Sequence, residues 1–279
     1  MADSRDETLE RWERAASGWG KRAERVRDWG MPVSLWLIEH LRLQPGHRLL
    51  ELAAGPGDTG FLGAELVEPG GTLICSDATE AMLAVARARA ERLGVRNVEY
   101  RRLELEWIDL ETASVDAVLC RWGIMLVPDP EAAAREMRRV LRSGGRASLS
   151  VWDDAAANPW ATIPSRALID LGHAEPPEPG APGMFALAAP DLLAGLLDGT
   201  GFDDVIVEAV TLERRYARLE DYLEETLDLS MMFAEAWDRI DADGRQEVSS
   251  RIGDLAAPYT DGDGSLRLPG RALAACGNA

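Results

Sequence analysis

The chain has 279 residues, 46% of them hydrophobic, and sets 48 acidic against 30 basic residues for a formal charge of −18. That length holds one large core or a domain with a subdomain, and the charge repels phosphate backbones and anionic bilayers alike, so neither nucleic acid nor membrane is expected as a partner. No apolar run approaches bilayer length, and the start, Met1 to Arg14, suits neither a secretory signal nor a basic transit peptide, which makes the cytoplasm the expected location.

The pattern predicts first an arm with Trp12, Trp19, Trp29 and Trp36, in which Leu35, Leu37, Ile38 and Leu41 form an amphipathic helix opened by Pro32. Trp36 is expected in the core. A first strand, Leu49 to Leu52, stops at a glycine turn, and Thr72 to Asp77 reads as a second strand followed by a helix from Thr79 to Leu93. A third strand, Asn97 to Arg101, leads to Glu104-Leu105-Glu106, and a fourth, Ser114 to Cys120, to Arg121-Trp122. A helix ending in Arg138 to Gly145 feeds a fifth strand, Arg146 to Trp152. Beyond it stand Asn158-Pro159-Trp160, a helix from Thr162 to Leu171, a proline-rich loop from Glu175 to Gly183, a helix from Ala189 to Gly201 and a strand from Phe202 to Tyr216. A pair of helices, Leu219 to Ala236 and Gly244 to Ala257, precedes a last strand at Arg267 to Ala275. Cys75, Cys120 and Cys276 include no C-x-x-C pair and read as small apolar fillers. Asp241 to Gly244 and Asp261 to Gly264 lack the later ligands of a calcium loop and read as turns, so no metal is expected.

Leu49-Leu50-Glu51-Leu52-Ala53-Ala54-Gly55-Pro56-Gly57-Asp58-Thr59-Gly60 carries the chemistry. Gly55, Gly57 and Gly60 fit G-x-G-x-x-G, in which backbone N–H groups close on a ligand at the mouth of a helix. Gly57 is the expected point of closest approach, with Gly60 already on the helix. Asp77, at the tip of the second strand, suits the two hydroxyls of a ribose and also the cap of the helix that follows. The same fingerprint fits nicotinamide-dependent oxidoreductases.

LLELAAGPGDTG, SDATEAML at Ser76 to Leu83, SVDAVLCRWGIMLVPDP at Ser114 to Pro130 and REMRRVLRSGG at Arg135 to Gly145 follow one another at a family's spacing. Together they closely resemble the class I S-adenosylmethionine-dependent methyltransferases, within them the ubiquinone/menaquinone-biosynthesis C-methyltransferase (UbiE-like) group. Ala53 departs from the family's usual first glycine. The resemblance implies an α/β, three-layer Rossmann-like sandwich with a mainly parallel seven-stranded sheet, its last strand antiparallel, roofed by helices. The expected divisions are an arm at 1–44, a cofactor-binding core at 45–152, a lid insertion at 153–189, further core at 190–216, a helical insertion at 217–266 and a final strand at 267–279.

It further implies S-adenosyl-L-methionine as cofactor and S-adenosyl-L-homocysteine as product. Glu51 then orients the methionine ammonium, Ala53, Gly55 and Gly57 line the methionine moiety, Asp77 holds the ribose, and Ala78 and Met82 flank the adenine. Glu104 and Leu105 stand where the family's Asp-Ala pair meets the adenine, and Trp19 matches an aromatic that closes over the cofactor. Arg121 faces the sulfonium or, with Trp122, a substrate carboxylate and ring; Trp160, Met231 and Phe233 are further substrate candidates. The arm around Trp19 and the segment 158–184 are expected to open and close.

A catalytic residue is not assigned. Of His40, His47 and His173 only His173, at the end of a lid helix, is placed to reach a substrate, and a surface position suits it as well; Asp153, Asp154 and Tyr216 are other candidate bases. The substrate is a small molecule, partly apolar, and the assembly is left open between monomer and homodimer. A nicotinamide oxidoreductase and an S-adenosylmethionine-binding protein of non-methylating chemistry stand as alternatives.

Overall fold

A computed structural model describes residues 5–176 and 183–279. Among these, the strands β1 (Arg48–Leu52), β2 (Thr72–Asp77), β3 (Val98–Arg102), β4 (Val115–Arg121), β5 (Leu141–Trp152), β6 (Asp203–Tyr216) and β7 (Leu266–Asn278) form one sheet in the order β3-β2-β1-β4-β5-β7-β6. The first five are parallel, and β7 runs antiparallel between β5 and β6. This is the expected Rossmann-like sheet. The parallel strands are apolar on both faces, as in Leu49-Leu50 and Val118-Leu119, because helices cover both sides. The order reverses between β1 and β4, which leaves a crevice at their carboxyl ends, where such sheets take ligands.

The helices are α1 (Arg5–Leu41), α2 (Asp58–Leu66), α3 (Glu80–Leu93), α4 (Pro130–Val140), α5 (Pro159–Asp170), α6 (Pro190–Gly199), α7 (Leu219–Leu229), α8 (Met231–Arg239) and α9 (Ala242–Ala256). The expected pair after β6 is therefore three helices. Asp241 caps α9 through Gly244 N–H at 2.9 Å, and Gly264 closes a turn on the Asp261 carbonyl. β5 begins five residues earlier than read, at Leu141 instead of Arg146, pairing with Val115 before an irregular stretch.

Pro32 does not open the arm. It lies exposed inside one helix of 37 residues, about 55 Å long at 1.5 Å per residue. The lost backbone bond is outweighed by a buried stripe, Ala23, Val26, Trp29, Gly30, Val33, Leu37 and Leu41, that lays α1 along the sheet and against α3 and α7. Leu35 is on the outer face, 55% exposed. Trp36, expected in the core, is half-buried beside the edge strand β6, stacked on His40 and donating from Nε1 to Glu208 at 2.8 Å. Trp29 is the arm's core tryptophan.

A line of buried charges fastens α1 to the crevice. Asp58, the first residue of α2, pairs with Arg89 of α3 and, at 3.5 Å, with Arg121 at the end of β4. Arg89 also donates to the Pro56 carbonyl at 3.0 Å and reaches Glu24 of α1 at 3.1 Å. Arg121 donates to Ser34 Oγ at 3.0 Å, and Ser34 shares a hydrogen bond with Thr59 at 2.9 Å. Two carboxylates balance two guanidiniums. Asp58→Ala is expected to cost about 3–5 kcal/mol in urea unfolding, because it strands two buried cations, whereas Glu24→Gln, at the exposed end, costs under about 1 kcal/mol.

Candidate cofactor and acceptor site

The turn after β1 is built on left-handed backbone. Ala53 (φ 49°), Gly55 (φ 54°) and Gly57 (φ 86°) carry the chain from Leu52 into α2. Ala53 adopts a conformation that costs an alanine roughly 1–2 kcal/mol, and its Cβ lies where a Cβ on Gly123 would come within 2.6 Å. The turn after β1 and the turn after β4 thus touch.

The three glycines differ in what surrounds them. A Cβ on Gly55 would meet nothing within 4 Å, so Gly55 faces open space. A Cβ on Gly57 would strike the Phe61 ring at 2.4 Å, and one on Gly60 the Glu51 carboxylate at 2.1 Å. Gly60 lies on α2, as expected, yet a side chain there meets a carboxylate as closely as one on Gly57 meets a ring. Gly57 and Gly60 are closed by the protein itself.

Asp77 ties this turn to β2. Its Oδ2 accepts from Gly55 N–H at 3.0 Å, and Oδ1 accepts from the N–H and Oγ1 of Thr79, each at 3.2 Å. Burial raises its pKa, against the pull of these donors. Glu51 is fully enclosed: Oε1 accepts from Gly60 N–H at 2.8 Å, and Oε2 has no partner among the described residues. Burial pushes its pKa up to about 8, with the Gly60 N–H and Arg121 opposing and Asp58 and Asp77 adding to the rise. Ala78 is half-buried, and Met82 and Leu105 are buried. Glu104 is held by Arg5, whose Nε donates to it at 2.6 Å, so the start of the arm reaches the end of β3.

Arg121 is not a free cation facing a ligand. It is buried, and Asp58 and Ser34 occupy it. Trp122 (φ 58°) is a second strained residue at the crevice. It stacks on Trp152 at 4.3 Å, and Trp29 and Trp160 complete a cluster with centroid separations of 4.7 to 6.3 Å. Arg214 of β6 lies between two of them, its guanidinium carbon 3.6 Å from the Trp29 centroid and 3.4 Å from that of Trp160. Arg214 was missed from sequence, although the alternation Leu212, Arg214, Tyr216 assigns it to the inner face.

Other expected residues lie elsewhere. Trp19 is half-buried on α1, 6.1 Å from Trp12, with Nε1 unpartnered among the described residues. Phe233 packs on Trp237 of its own helix, and Met231 is half-buried at the start of that helix. His173 is exposed beside Gly244 of α9. The 12 residues of α5, about 18 Å, separate it from the tryptophan cluster. Asp153 is engaged by Arg271, Asp154 caps a 3₁₀ turn, and Tyr216 donates to Glu225 at 2.8 Å with burial raising its pKa. Of the expected lid, residues 177–182 lie outside the described residues. Among the described residues no helix is long and apolar enough to cross a membrane.

A glycine turn between the first strand and helix, with an acid at the second strand's tip, defines a Rossmann-like domain of the nucleoside-binding kind. Residues 52–149 match the methyltransferase domain family. The ubiquinone/menaquinone biosynthesis C-methyltransferase UbiE of Pasteurella multocida is 37% identical over 105 residues, 37% of this chain and 39% of the relative. That of Xanthomonas campestris pv. campestris is 33% identical over 124 residues, 44% of this chain and 49% of the relative. The chain spans less than half the length of these curated relatives.

Solved structures are similar at 17% identity: the YcgJ protein of Bacillus subtilis (TM-score 0.58, covering 88% of this chain and 97% of that one), the [4+2]-cyclase SpnF (0.54; 88% and 79%) and phosphoethanolamine N-methyltransferase 2 of Haemonchus contortus with S-adenosyl-L-methionine (0.52; 88% and 52%). That likeness speaks for the fold. Residues 52–149 thus match a methyltransferase domain, and this part of the chain is similar to the C-methyltransferases of the UbiE group.

Glu51 gives the site a pH signature. Its folded pKa lies above the unfolded value, so the stability it contributes is full below the usual carboxylate range and lost as pH rises through about 8. Urea midpoints of the wild type should fall between pH 6 and 9, and Glu51→Gln should flatten most of that slope. Gly60→Ala, which displaces the carboxylate, should also flatten it and lower Tm, whereas Gly55→Ala should keep the slope.

Proposed function

We propose that this chain transfers the methyl group of S-adenosyl-L-methionine in line to a small, partly apolar acceptor and releases S-adenosyl-L-homocysteine. The observation that carries this reading is the Gly55–Asp77 pair: an open glycine backbone bonded to a carboxylate at the tip of the neighbouring strand. An unpartnered Glu51 Oε2 lies behind the turn. These features fit the cofactor: a diol-binding acid, a surface without side chains, and a buried acceptor for an ammonium group.

The bound cofactor supplies a methyl already activated by its sulfonium, so the chain's task is to bind, orient and exclude water. Asp77 holds the ribose, Glu51 answers the ammonium, and Ala78, Met82 and Leu105 supply apolar walls for the adenine. Arg5 draws Glu104 and the arm together over that end. Lys21 and Arg22 on Asp228 (2.9 and 2.5 Å) and Arg25 on Glu225 (2.6 Å) hold α1 to α7. The start of the arm, tied to Glu104 by the exposed Arg5, is the part that lifts for exchange, breaking a weak solvated pair. No base is assigned among the chain's side chains.

Calorimetry with S-adenosyl-L-homocysteine and NADH in parallel tests the cofactor: micromolar binding of the first and none of the second is expected, and the reverse would sink the reading. Production of S-adenosyl-L-homocysteine with an added acceptor separates methyl transfer from the non-methylating chemistry that a fold shared with a cyclase also permits. Asp77→Ala should weaken cofactor binding by about 2 kcal/mol, roughly thirtyfold, because it removes a charged acceptor from two hydroxyls. Binding at pH 7 should release a proton as Glu51 ionises beside the ammonium, seen as a buffer-dependent enthalpy that Glu51→Gln abolishes.

A further inference from the structure

Around the turn after β4 the interior holds unpartnered hydrogen-bond donors. Nε1 of Trp29, Nε1 of Trp122 and Nε of Arg214 are buried without a partner among the described residues, and all three belong to one cluster of touching rings. Buried donors in folded proteins are nearly always satisfied, so three together mark a place where something else supplies acceptors.

The charge balance agrees. Glu225 is the carboxylate nearest this cluster, and its oxygens are already taken: Oε2 by Arg25 Nε at 2.6 Å and Oε1 by the Tyr216 hydroxyl at 2.8 Å. Arg214 reaches it only at 3.6 Å. One buried anion therefore serves two cations, as Asp58 does for Arg89 and Arg121, although Arg89 there also has Glu24. Trp29 and Trp160 offset part of the deficit by offering their faces to the guanidinium.

We propose that Trp29, Trp122, Trp152, Trp160 and Arg214 form the acceptor site, and that the acceptor is a planar ring bearing a carboxylate. This rests on the methyltransferase reading. The guanidinium fork suits a carboxylate and the indole N–H groups add donors, while a flat ring would take the place on an indole face that the guanidinium now holds. A cationic acceptor is disfavoured by Arg214 itself. Trp122 joins the site to the cofactor turn, since the next residue, Gly123, packs on Ala53. Trp160, second residue of α5 and edge-on to Trp152 at 4.7 Å, is the wall that moves to admit the ring.

The test is calorimetric titration of the full chain with 2-naphthoate, 2-naphthylmethanol and 2-naphthylmethylamine, with and without saturating S-adenosyl-L-homocysteine. The acid should bind at least tenfold more tightly than the alcohol or the amine. Arg214→Met, which keeps a long side chain between the rings and leaves Arg25 and Glu225 as a balanced pair, should lose that preference without a lower Tm. Its affinity for S-adenosyl-L-homocysteine should stay within twofold of wild type. Equal binding of acid and amine, no binding of the acid to wild type, or an unchanged preference in Arg214→Met would overturn the proposal. The wild-type panel decides even where the variant does not fold. Failure of S-adenosyl-L-homocysteine to bind would instead strike the methyltransferase reading, and the titrations without it would still judge the acid site.

Discussion

The crevice depends on the Asp58 carboxylate. It sits at the first turn of α2, where the helix dipole favours an anion, and it gathers Arg89 and Arg121, whose other contacts reach Pro56 in the glycine turn and both Glu24 and Ser34 on the arm. One buried anion thus sets the shape of the ligand turn, the end of β4 and the seat of α1 together. Such a network rewards completeness, because in a poorly polarisable interior each charge is costly alone and tolerable once matched. It also explains why a chain of strongly negative charge keeps its basic side chains where they are needed: several on α1 bind acids on α7 and α8, and Arg89 and Arg92 of α3 bind Glu24 on α1.

Two regimes of polarity meet across Ala53 and Gly123. On the cofactor side lie carboxylates whose pKa burial raises, Glu51 and Asp77. On the other side lie tryptophans and an under-neutralised guanidinium. The left-handed conformations of Ala53 and Trp122 mark the seam, and strain of this kind persists where the surrounding packing over-determines it.

Much of the core was legible in sequence because its cues are local. Each parallel strand is a short apolar run closed by a turn residue, and the spacing from Glu51 through Asp77 to Glu104 reproduces three successive strand tips. Errors came where a residue's environment is set by distant chain. Trp36 looks like core on helical periodicity, yet it projects beside the edge strand β6, where Glu208 is its neighbour. Gly57 and Gly60 are equivalent as spacing, but Phe61 and Glu51 fill the space beside them and leave Gly55 as the open one. His173 looked placed for chemistry until α5 carried it away from the crevice.

The sequence by itself determined the order of strands and helices, the position of the ligand turn and the acid at the second strand's tip, since backbone conformation, hydrophobic period and turn chemistry act over a few residues. Only the tertiary structure decided that Pro32 stays inside a helix, that Arg121 meets Asp58 while Arg214 lies between two indoles, and that tryptophans from α1, the turn after β4, β5 and α5 share one cluster. Those outcomes depend on which charges and rings meet across more than a hundred residues of chain, as Trp29 and Trp160 do. Burial then fixes their energies, because the same guanidinium that is indifferent in water becomes, between two indoles, a cation in need of a partner.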